Sequence, residues 1–300
     1  MAARPAVTPL TVPARPPNTS AARGVVRCSA RAAIGVATTL LRNPDWILKR
    51  TAPILYQLAL KRHELLARRG VVVVRDQAMS IPDQIAFGAR LGELHVHPAY
   101  AQSEHPEALH IYGDENSKMV PGEGWHSDVS CDERPPGVSM LRIETTPSVG
   151  GDTAFSHQGA LLRSLSGTMQ SFLRTLKARH SGDLPWRNAY KSVDPKMYPR
   201  NLHPVVRTHP ITGEDALYVN SGFTDRIWDM EDWESDALLR MLFDRIAYDV
   251  ELQCRVRWEP NTVTFWDNRV VQHRACWDYF PEKREGWRVT TVGEKPYLAN

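Results

Sequence analysis

The chain has 300 residues, 42% of them hydrophobic, and a formal net charge of +3 at pH 7. This hydrophobic content suffices for one large domain or two small ones, and 37 basic against 34 acidic residues exclude the strongly basic surface typical of nucleic-acid-binding proteins. The four cysteines are Cys28, Cys131, Cys254 and Cys276; they are far apart and form no C-x-x-C pair. This spacing argues against a disulfide framework or a structural zinc site and favours a reducing compartment.

The first 44 residues differ in composition from the rest of the chain. Residues 1–44 contain six Arg and no Asp or Glu, and they are rich in Ala, Ser, Thr and Pro. Such a composition is typical of an organelle transit peptide and also of a disordered basic tail, and both interpretations stay open. The longest apolar run there, residues 32–41, is half of the roughly 20 residues that a membrane-spanning helix needs. We therefore expect a soluble intracellular protein without a membrane partner, either cytoplasmic or located in a plastid or mitochondrion.

Residues 45–300 are predicted to form the folded catalytic domain. A helical pattern of apolar residues starts near residue 45 and ends at Gly70, a residue that commonly stops helices. The apolar run 71–77 then predicts a buried strand. A second helix is expected to begin at Ser80, with Pro82 in its first turn.

The remainder of the chain is predicted to be mainly β. Short β-rich runs broken by Pro and Gly fill residues 108–160, and further strands are expected over 204–220 and 253–292. Many short strands with a few helices indicate a β-sandwich or jelly roll with flanking helices. The polar, Pro-rich segment 181–203 is long enough to predict an active-site lid. One helix is predicted near residues 231–249, with an apolar face formed by Leu238, Leu239, Leu242 and Ile246.

The stretch "GEGWHSDVS" at residues 122–130 contains a His and an Asp two positions apart. In a strand, residues i and i+2 point to the same face, so His126 and Asp128 can bind one metal ion together. The strongest candidate for a third ligand is His273, in a later predicted strand. Two His and one carboxylate on one side of an ion form the facial arrangement of non-haem Fe(II) oxygenases.

Two further features occur in register with these three residues. Arg284 follows His273 by eleven positions, and the segment "GGDT" (150–153) lies a short β-segment after the His-x-Asp pair. The ordered set resembles the Fe(II)/2-oxoglutarate-dependent taurine dioxygenase family, which includes phenoxyalkanoate and alkylsulfate dioxygenases. The similarity covers roughly residues 55–297 and includes the segments "FGARLGELHVHPAY", "LHPVVRTHPITGEDALYVNSGFT" and "VTFWDNRVVQHRA". The resemblance implies a double-stranded β-helix, which is the cupin-like jelly roll.

The resemblance implies a role for each residue of this set. His126, Asp128 and His273 would be the iron ligands, while Thr153 and Arg284 would bind the distal carboxylate of 2-oxoglutarate. A planar guanidinium matches a carboxylate, and a hydroxyl adds a neutral donor. With O2 as the second co-substrate, such an enzyme releases succinate and CO2 and hydroxylates a substrate C–H bond. A carboxylate at position 128 favours hydroxylation over halogenation, because related halogenases have a small residue there.

The resemblance also implies residues that line the substrate pocket. Arg288 corresponds to the Arg that binds the sulfonate in taurine dioxygenase, and with His97 it would form an anion clamp. Tyr100, Phe223 and Val129, which directly follows the His-x-Asp pair, would line the walls. The predicted substrate is a small organic anion, with an alkylsulfonate or sulfate ester favoured and an aryloxy or other carboxylic acid as the alternative.

Hydroxylation beside a sulfonate or sulfate ester gives an adduct that collapses to an aldehyde plus sulfite or sulfate. Taurine itself is disfavoured, because Gly122 and Glu123 stand where the taurine enzyme has the Asn that contacts the substrate amine. Family members are often dimers or tetramers, so a homo-oligomer is expected.

Other classes of function also fit parts of the pattern. A zinc-dependent hydrolase could use the same His, Asp and His with a bound water, and it would give no reason for Thr153 and Arg284 to be in register. A non-catalytic binding protein is a further alternative, because residues 1–45 lack the opening strand of the family. The non-functional interpretations are an Arg288 that pairs with an acid, a structural His95, and core roles for Trp125, Trp266 and Trp277.

Overall fold

The computed structural model describes residues 37–38, 64–97, 104–186 and 198–299. Residues 64–69 are the described part of a helix, α1, which ends at Gly70. Gly70 has a φ of 75° and its N–H donates to the carbonyl of Leu66 at 2.7 Å, so the predicted glycine stop is confirmed. Strand β1 (Ala37–Thr38) pairs in parallel with β2 (Val71–Val74), and the rest of the basic segment 1–44 lies outside the described residues.

The larger sheet has six strands and contains the predicted buried strand at its second position. All four valines of β2 are buried, which is the pattern of a strand covered on both faces. Apart from the β1–β2 pair, neighbouring strands run antiparallel. The order across the sheet is β1, β2, β12 (Thr262–Asp267), β4 (Pro136–Thr145), β14 (Arg284–Val292) and β3 (Ala108–Gly113).

A smaller antiparallel sheet of three strands packs on this one. Its order is β11 (Gln253–Val256), β5 (Thr153–His157) and β13 (Val271–Ala275). One core cluster joins Ile143 of the larger sheet to Phe155 of the smaller one, so the apolar faces of the two sheets bury each other. The predicted jelly roll is confirmed.

The described parts of the segment 181–203, which was predicted to be a lid, are mostly regular structure. It contains the short helix α5 (Asp183–Trp186) and most of strand β7 (Arg200–Pro204). Residues 187–197 lie outside the described residues. Strand β7 pairs with β6 (Lys177–Ser181), which also pairs with β10 (Thr224–Ile227); β8 (Val206–Thr208) and β9 (Asp215–Leu217) form a hairpin. The lid prediction is therefore wrong for residues 200–203, because backbone pairing fixes them in a sheet.

The flanking helices follow the predicted patterns. Helix α2 (Ile81–Ala89) begins at Ser80, whose hydroxyl accepts from the N–H of Asp83 at 3.2 Å in a capping box. Helices α3 (Gln158–Ser164) and α4 (Gly167–Arg174) follow β5. Helix α6 (Asp232–Tyr248) buries the predicted face of Leu238, Leu239, Leu242 and Ile246.

Two expectations drawn from composition concern the whole chain. None of the helices among the described residues is both long and apolar enough to cross a membrane. The three described cysteines are free thiols: Cys131, Cys254 and Cys276.

Candidate metal centre

The predicted His-x-Asp pair is anchored by a single β-bridge. His126 and His273 exchange backbone hydrogen bonds, with N···O distances of 3.0 and 2.9 Å. Asp128 lies in a turn and not in a strand, and Val129 after it has a φ of 40°. The prediction of a continuous strand here was wrong, because the N–H of Asp128 donates to the side chain of Asn268 at 3.1 Å instead of joining a ladder.

The three predicted ligands nevertheless converge on one point. Their candidate ligand atoms all lie within 4.8 Å of one another. The Oδ1 atom of Asp128 is 3.6 Å from Nε2 of His126 and 3.8 Å from Nε2 of His273. Two imidazole nitrogens and one carboxylate oxygen at this spacing fit a single non-haem Fe(II) ion, with further coordination positions left for small ligands.

Hydrogen bonds from neighbouring residues orient these ligands. Nδ1 of His126 donates to the carbonyl of Gly124 at 2.8 Å, which leaves Nε2 as the metal-binding nitrogen. The hydroxyl of Ser139, on β4, donates to Oδ2 of Asp128 at 2.6 Å. The side-chain amide of Asn268 donates to Ser139 Oγ at 2.9 Å. Each contact fixes a side-chain rotamer before a metal binds.

The protonation states of the buried ligands suit metal binding. Burial alone would raise the pKa of Asp128, but Arg288 and the two neighbouring histidines hold that pKa well below its usual range. Burial and the proximity of His126 lower the pKa of His273 well below its usual range. The site therefore presents an ionised carboxylate and a neutral imidazole, which are the forms that coordinate metals.

A second group of side chains lies at the starts of strands β5 and β14. Thr153 is the first residue of β5, and Arg284 is the first residue of β14. Arg284 donates through Nε to the carbonyl of Gly151 at 2.9 Å and through Nη2 to Oγ1 of Thr153 at 3.4 Å. Trp258 donates through its indole N–H to the same Oγ1 at 3.0 Å, and its ring centre is 5.5 Å from the guanidinium carbon.

Gly151, in the "GGDT" segment, permits this approach of Arg284. Its φ is 69°, and a Cβ there would come within 2.8 Å of Pro147 Cγ and 3.2 Å of Arg284 Cδ. A side chain would therefore push Arg284 away from the carbonyl to which it donates.

Arg284 is a buried cation that has no counter-ion among the described residues. Its side chain is 4% exposed, and burial lowers its pKa. No carboxylate in the described ranges lies within the 4.0 Å limit for an ion pair with it. Because an unpaired buried charge is strongly unfavourable, this arrangement indicates a binding site for an anionic ligand.

One cavity of about 670 Å³ connects the two groups. It also brings in every predicted pocket residue except Tyr100, which lies outside the described residues. The predicted residues along its wall are His97, His126, Asp128, Val129, Thr153, Phe223, His273, Arg284 and Arg288.

Both residues of the predicted anion clamp, His97 and Arg288, line the cavity. Burial lowers the pKa of His97 to about 3, so this side chain is neutral and can contribute hydrogen bonds but no charge. Arg288 donates through Nη1 to Oδ1 of Asp128, which is the acid pairing considered as its non-functional interpretation. The Nε atom of Arg288 is buried without a hydrogen-bond partner in the described part of the chain. The anion clamp therefore stays a prediction, in which Arg288 supplies the charge and His97 a neutral hydrogen-bonding group.

Some supporting residues were missed at the sequence level. Asn268 lies within the quoted segment "VTFWDNRVVQHRA", so its position in the family register was a usable signal. Ser139 and Trp258 carried no signal, because only sheet pairing brings them to Asp128 and Thr153. Trp266 is 1% exposed, as a core residue should be, yet it also lines the cavity and its ring centre is 4.6 Å from that of His273.

Comparisons with known proteins identify the family of this chain. Residues 48–290 match the family model described as taurine catabolism dioxygenase TauD, TfdA family. The alpha-ketoglutarate-dependent sulfonate dioxygenase of Saccharomyces cerevisiae is 34% identical over 247 residues; these cover 77% of this chain and 60% of the yeast protein. The chain thus spans less than two thirds of the length of that relative.

A bacterial relative and a solved structure match over more of their own lengths. The alpha-ketoglutarate-dependent sulfate ester dioxygenase of Pseudomonas putida is 32% identical over 252 residues, which cover 80% of each chain. The crystal structure of a taurine dioxygenase from Burkholderia xenovorans superposes with a TM-score of 0.69 at 32% identity, covering 81% of this chain and 82% of that one. With the family model matching most of its length, the chain belongs to the TauD, TfdA family of dioxygenases.

Proposed function

We propose that this protein is an Fe(II)- and 2-oxoglutarate-dependent dioxygenase that hydroxylates a small organic anion, with a sulfonate or sulfate ester as substrate. The observation that carries the proposal is the buried Arg284, which has no carboxylate partner among the described residues and lies in the same cavity as the His126, Asp128 and His273 cluster. A dicarboxylate that reaches from the metal to a guanidinium needs both features in one cavity.

The residues divide the task of holding the two groups. His126, Asp128 and His273 would hold Fe(II), and Arg284 with Thr153 would bind the distal carboxylate of 2-oxoglutarate. With O2, the bound iron and keto acid supply an oxidative decarboxylation to succinate and CO2 that is coupled to hydroxylation of a C–H bond. The protein supplies binding, orientation and exclusion of water.

Trp258 supports the 2-oxoglutarate end of the site in two ways. Its N–H occupies one lone pair of Thr153 Oγ1, so the Thr hydroxyl hydrogen is free to point at a ligand carboxylate. Its ring lies against the guanidinium of Arg284 and partly compensates the cation when no anion is bound. Both contacts set the geometry before the co-substrate arrives.

The substrate proposal combines relatives with the chemistry of the cavity. The yeast relative is named for sulfonates and the Pseudomonas relative for sulfate esters. Arg288 lines the cavity and can bind such a head group, because beside its contact with Asp128 it has a donor, Nε, without a partner among the described residues. The rest of the cavity suits an apolar tail, since its lining includes Leu109, Ile111, Met119, Val120, Leu141, Leu184 and Trp186.

Two alternatives explain less of the site. A zinc hydrolase would need the three ligands and a water, but no buried Arg284 beside Thr153. A non-catalytic binding protein would not need three oriented metal ligands with a supporting Ser139. An aryloxy or other carboxylic acid fits Arg288 as well as a sulfonate does, and it differs from the leading substrate class only in its head group.

Anaerobic titration tests the co-substrate assignment. Adding Fe(II) and 2-oxoglutarate should produce a weak visible charge-transfer band; no band at saturating 2-oxoglutarate would contradict the proposal. Arg284→Ala should raise the 2-oxoglutarate concentration required for the band by about 10- to 100-fold, because a charge-assisted hydrogen bond pair is lost. Iron affinity should change far less. The matched control is Arg274→Ala, an exposed Arg next to His273, and it should leave the 2-oxoglutarate requirement unchanged.

Succinate release across a panel of alkyl sulfonates, alkyl sulfates and aryloxy acids tests the substrate class. We expect the highest kcat/KM with an alkyl sulfate or sulfonate, and an aldehyde plus sulfate or sulfite as products. Taurine should be poor, because Gly122 and Glu123 line the cavity without an amide side chain. Faster turnover of aryloxy acids would contradict the proposed sulfonate or sulfate ester and would indicate a carboxylic acid as the substrate.

A further inference from the structure

Helix α6 has an exposed face with aromatic residues, on the side of the helix opposite the residues that pack into the core. Its inner face is formed by Leu238, Leu239, Leu242 and Ile246. Trp233 is 72% exposed, Tyr248 is 77% exposed and Met241 is 37% exposed. At 100° per residue these three positions fall within a quarter turn of one another, centred about half a turn from the buried face. We define them, with Asp236, Ala237, Arg240 and Asp244, as the α6 outer face.

Large aromatic side chains at this exposure indicate an interaction surface. Trp and Tyr are enriched at the centres of protein interfaces, and Trp233 and Tyr248 leave most of their surface outside the core of this chain. Trp228, at 41% exposure, and Val250, at 75%, flank the two ends of α6 and extend the apolar surface beyond the helix.

We propose that the α6 outer face binds a second copy of this chain through an antiparallel, two-fold symmetric helix pair. The evidence is the symmetry of the residues along the helix. Trp233 and Tyr248 lie seven and eight residues on either side of Arg240, which is the midpoint of α6. At about 1.5 Å per residue, each aromatic ring is about 11 Å from the midpoint along the axis. In an antiparallel pair, Trp233 therefore lies opposite the partner's Tyr248, and the contact occurs twice.

The charges on the same face follow the same symmetry. Asp236 and Asp244 lie one turn before and one turn after Arg240. None of these three residues forms an ion pair within the part of the chain that the structure describes. In the antiparallel pair, each Arg240 lies within one turn of the partner's Asp236 and the partner's Asp244. In a parallel two-fold pair, each charged residue would instead lie beside the same residue of the partner, and like charges would repel each other.

The small residue on this face completes the match. Ala237 lies about as far before the midpoint as Asp244 lies after it, so a short side chain faces the longer one across the pair. Met241 is close to the two-fold axis and meets its own copy there, and Met side chains adapt well to such self-contacts. Each copy therefore contributes two aromatic contacts, one central apolar contact and one cation between two acids.

Sedimentation velocity of the full chain over a range of concentrations tests the interface. We expect a reversible dimer whose dissociation constant rises about 30-fold or more in Trp233→Glu, because an interfacial Trp is typically a hot spot. Tyr248→Glu should act in the same direction. The matched controls are Val149→Glu and Phe172→Glu, which are 75% and 43% exposed elsewhere on the molecule and should leave the dissociation constant unchanged. Thermal unfolding of each variant checks that the fold is intact.

Cysteine cross-linking tests the direction of the pair. In Trp233→Cys/Tyr248→Cys, oxidation followed by peptide mapping should give a disulfide between position 233 of one copy and position 248 of the other. A 233-to-233 disulfide would overturn the antiparallel arrangement. A chain that is monomeric at every concentration, or a dimer unaffected by both Trp233→Glu and Tyr248→Glu, would overturn the proposal. These measurements need neither iron nor 2-oxoglutarate, so their outcome is independent of the proposed catalytic function.

Discussion

The inner end and the mouth of the cavity are built in different ways. At the inner end, Asp128, His273 and Arg284 are 2%, 6% and 4% exposed, and strand pairing or direct hydrogen bonds hold their surroundings. At the mouth, Met119 and Leu184 also line the cavity, yet they are 54% and 49% exposed. The groups proposed to meet iron and 2-oxoglutarate are thus fixed, while the groups proposed to meet the substrate tail are loosely supported.

This difference teaches where specificity can change without loss of the reaction. Substitutions at the inner end remove hydrogen bonds that hold the rotamer of a proposed metal ligand. Substitutions at the mouth alter apolar area that only a bound substrate buries. Four variants measure the contrast, from the innermost support to the mouth.

The largest effect is expected for Ser139→Ala. It removes the 2.6 Å hydrogen bond to Asp128 Oδ2 and leaves the amide of Asn268 without its acceptor. Loss of such a support typically costs 10- to 100-fold in metal affinity, so Fe(II) affinity measured by competition with a chelator should fall by about that factor. The control is Ser156→Ala, a fully buried Ser of the smaller sheet that does not line the cavity. An equal loss of Fe(II) affinity in both variants would mean that the loss reflects a lower stability of the fold and not the missing hydrogen bond to Asp128.

A smaller effect is expected for Trp258→Phe. The change keeps an aromatic ring beside Arg284 and removes only the N–H that donates to Thr153 at 3.0 Å. One neutral hydrogen bond contributes about 0.5–1.5 kcal/mol, so the KM for 2-oxoglutarate should rise about 2- to 12-fold. Iron affinity should stay the same. A fall in iron affinity as large as the rise in KM would mean that Trp258 supports metal binding as well as 2-oxoglutarate binding.

The smallest effect is expected at the mouth, in Met119→Ser and Leu184→Ser. For a series of unbranched alkyl sulfates, each methylene buried against these side chains contributes about fourfold in kcat/KM. Both variants should flatten that dependence on chain length, because the apolar area they offer is gone. Ile211→Ser, at a position 47% exposed outside the cavity, is the control and should keep the original dependence. An unchanged dependence in both mouth variants would mean that substrate tails do not reach Met119 or Leu184.

Much of the fold could be predicted from local patterns. The four valines of β2, the Ser80 cap and the apolar face of α6 each depend on residues close in sequence, so periodicity and capping rules were sufficient. The segment 181–203 was predicted incorrectly in part, because its Pro-rich composition hides strand β7, which exists only through pairing with β6. A strand whose stability comes from a distant partner leaves little local signal.

The candidate site shows the same division at the level of single residues. The ligand set and Arg284 were found because their types and order match a family pattern, and the cavity brings them together. Pairing of Arg288 with an acid was one alternative, but the identity of that acid as Asp128, 160 positions away, and the neutral state of His97 were not predicted. Both depend on burial and on which side chains face each other across sheets, and neither quantity can be obtained from sequence spacing.

The sequence by itself determined the family, the jelly roll and the residue types of the metal site, because these follow from periodicity and from an ordered set of motifs. Only the tertiary structure decided how Asp128 is held: a turn at Val129 and support from Ser139 and Asn268 replace the expected strand. The physical reason is that a ligand set is specified by chemical type, while its geometry is specified by hydrogen bonds between residues more than a hundred positions apart, such as Asp128 and Asn268.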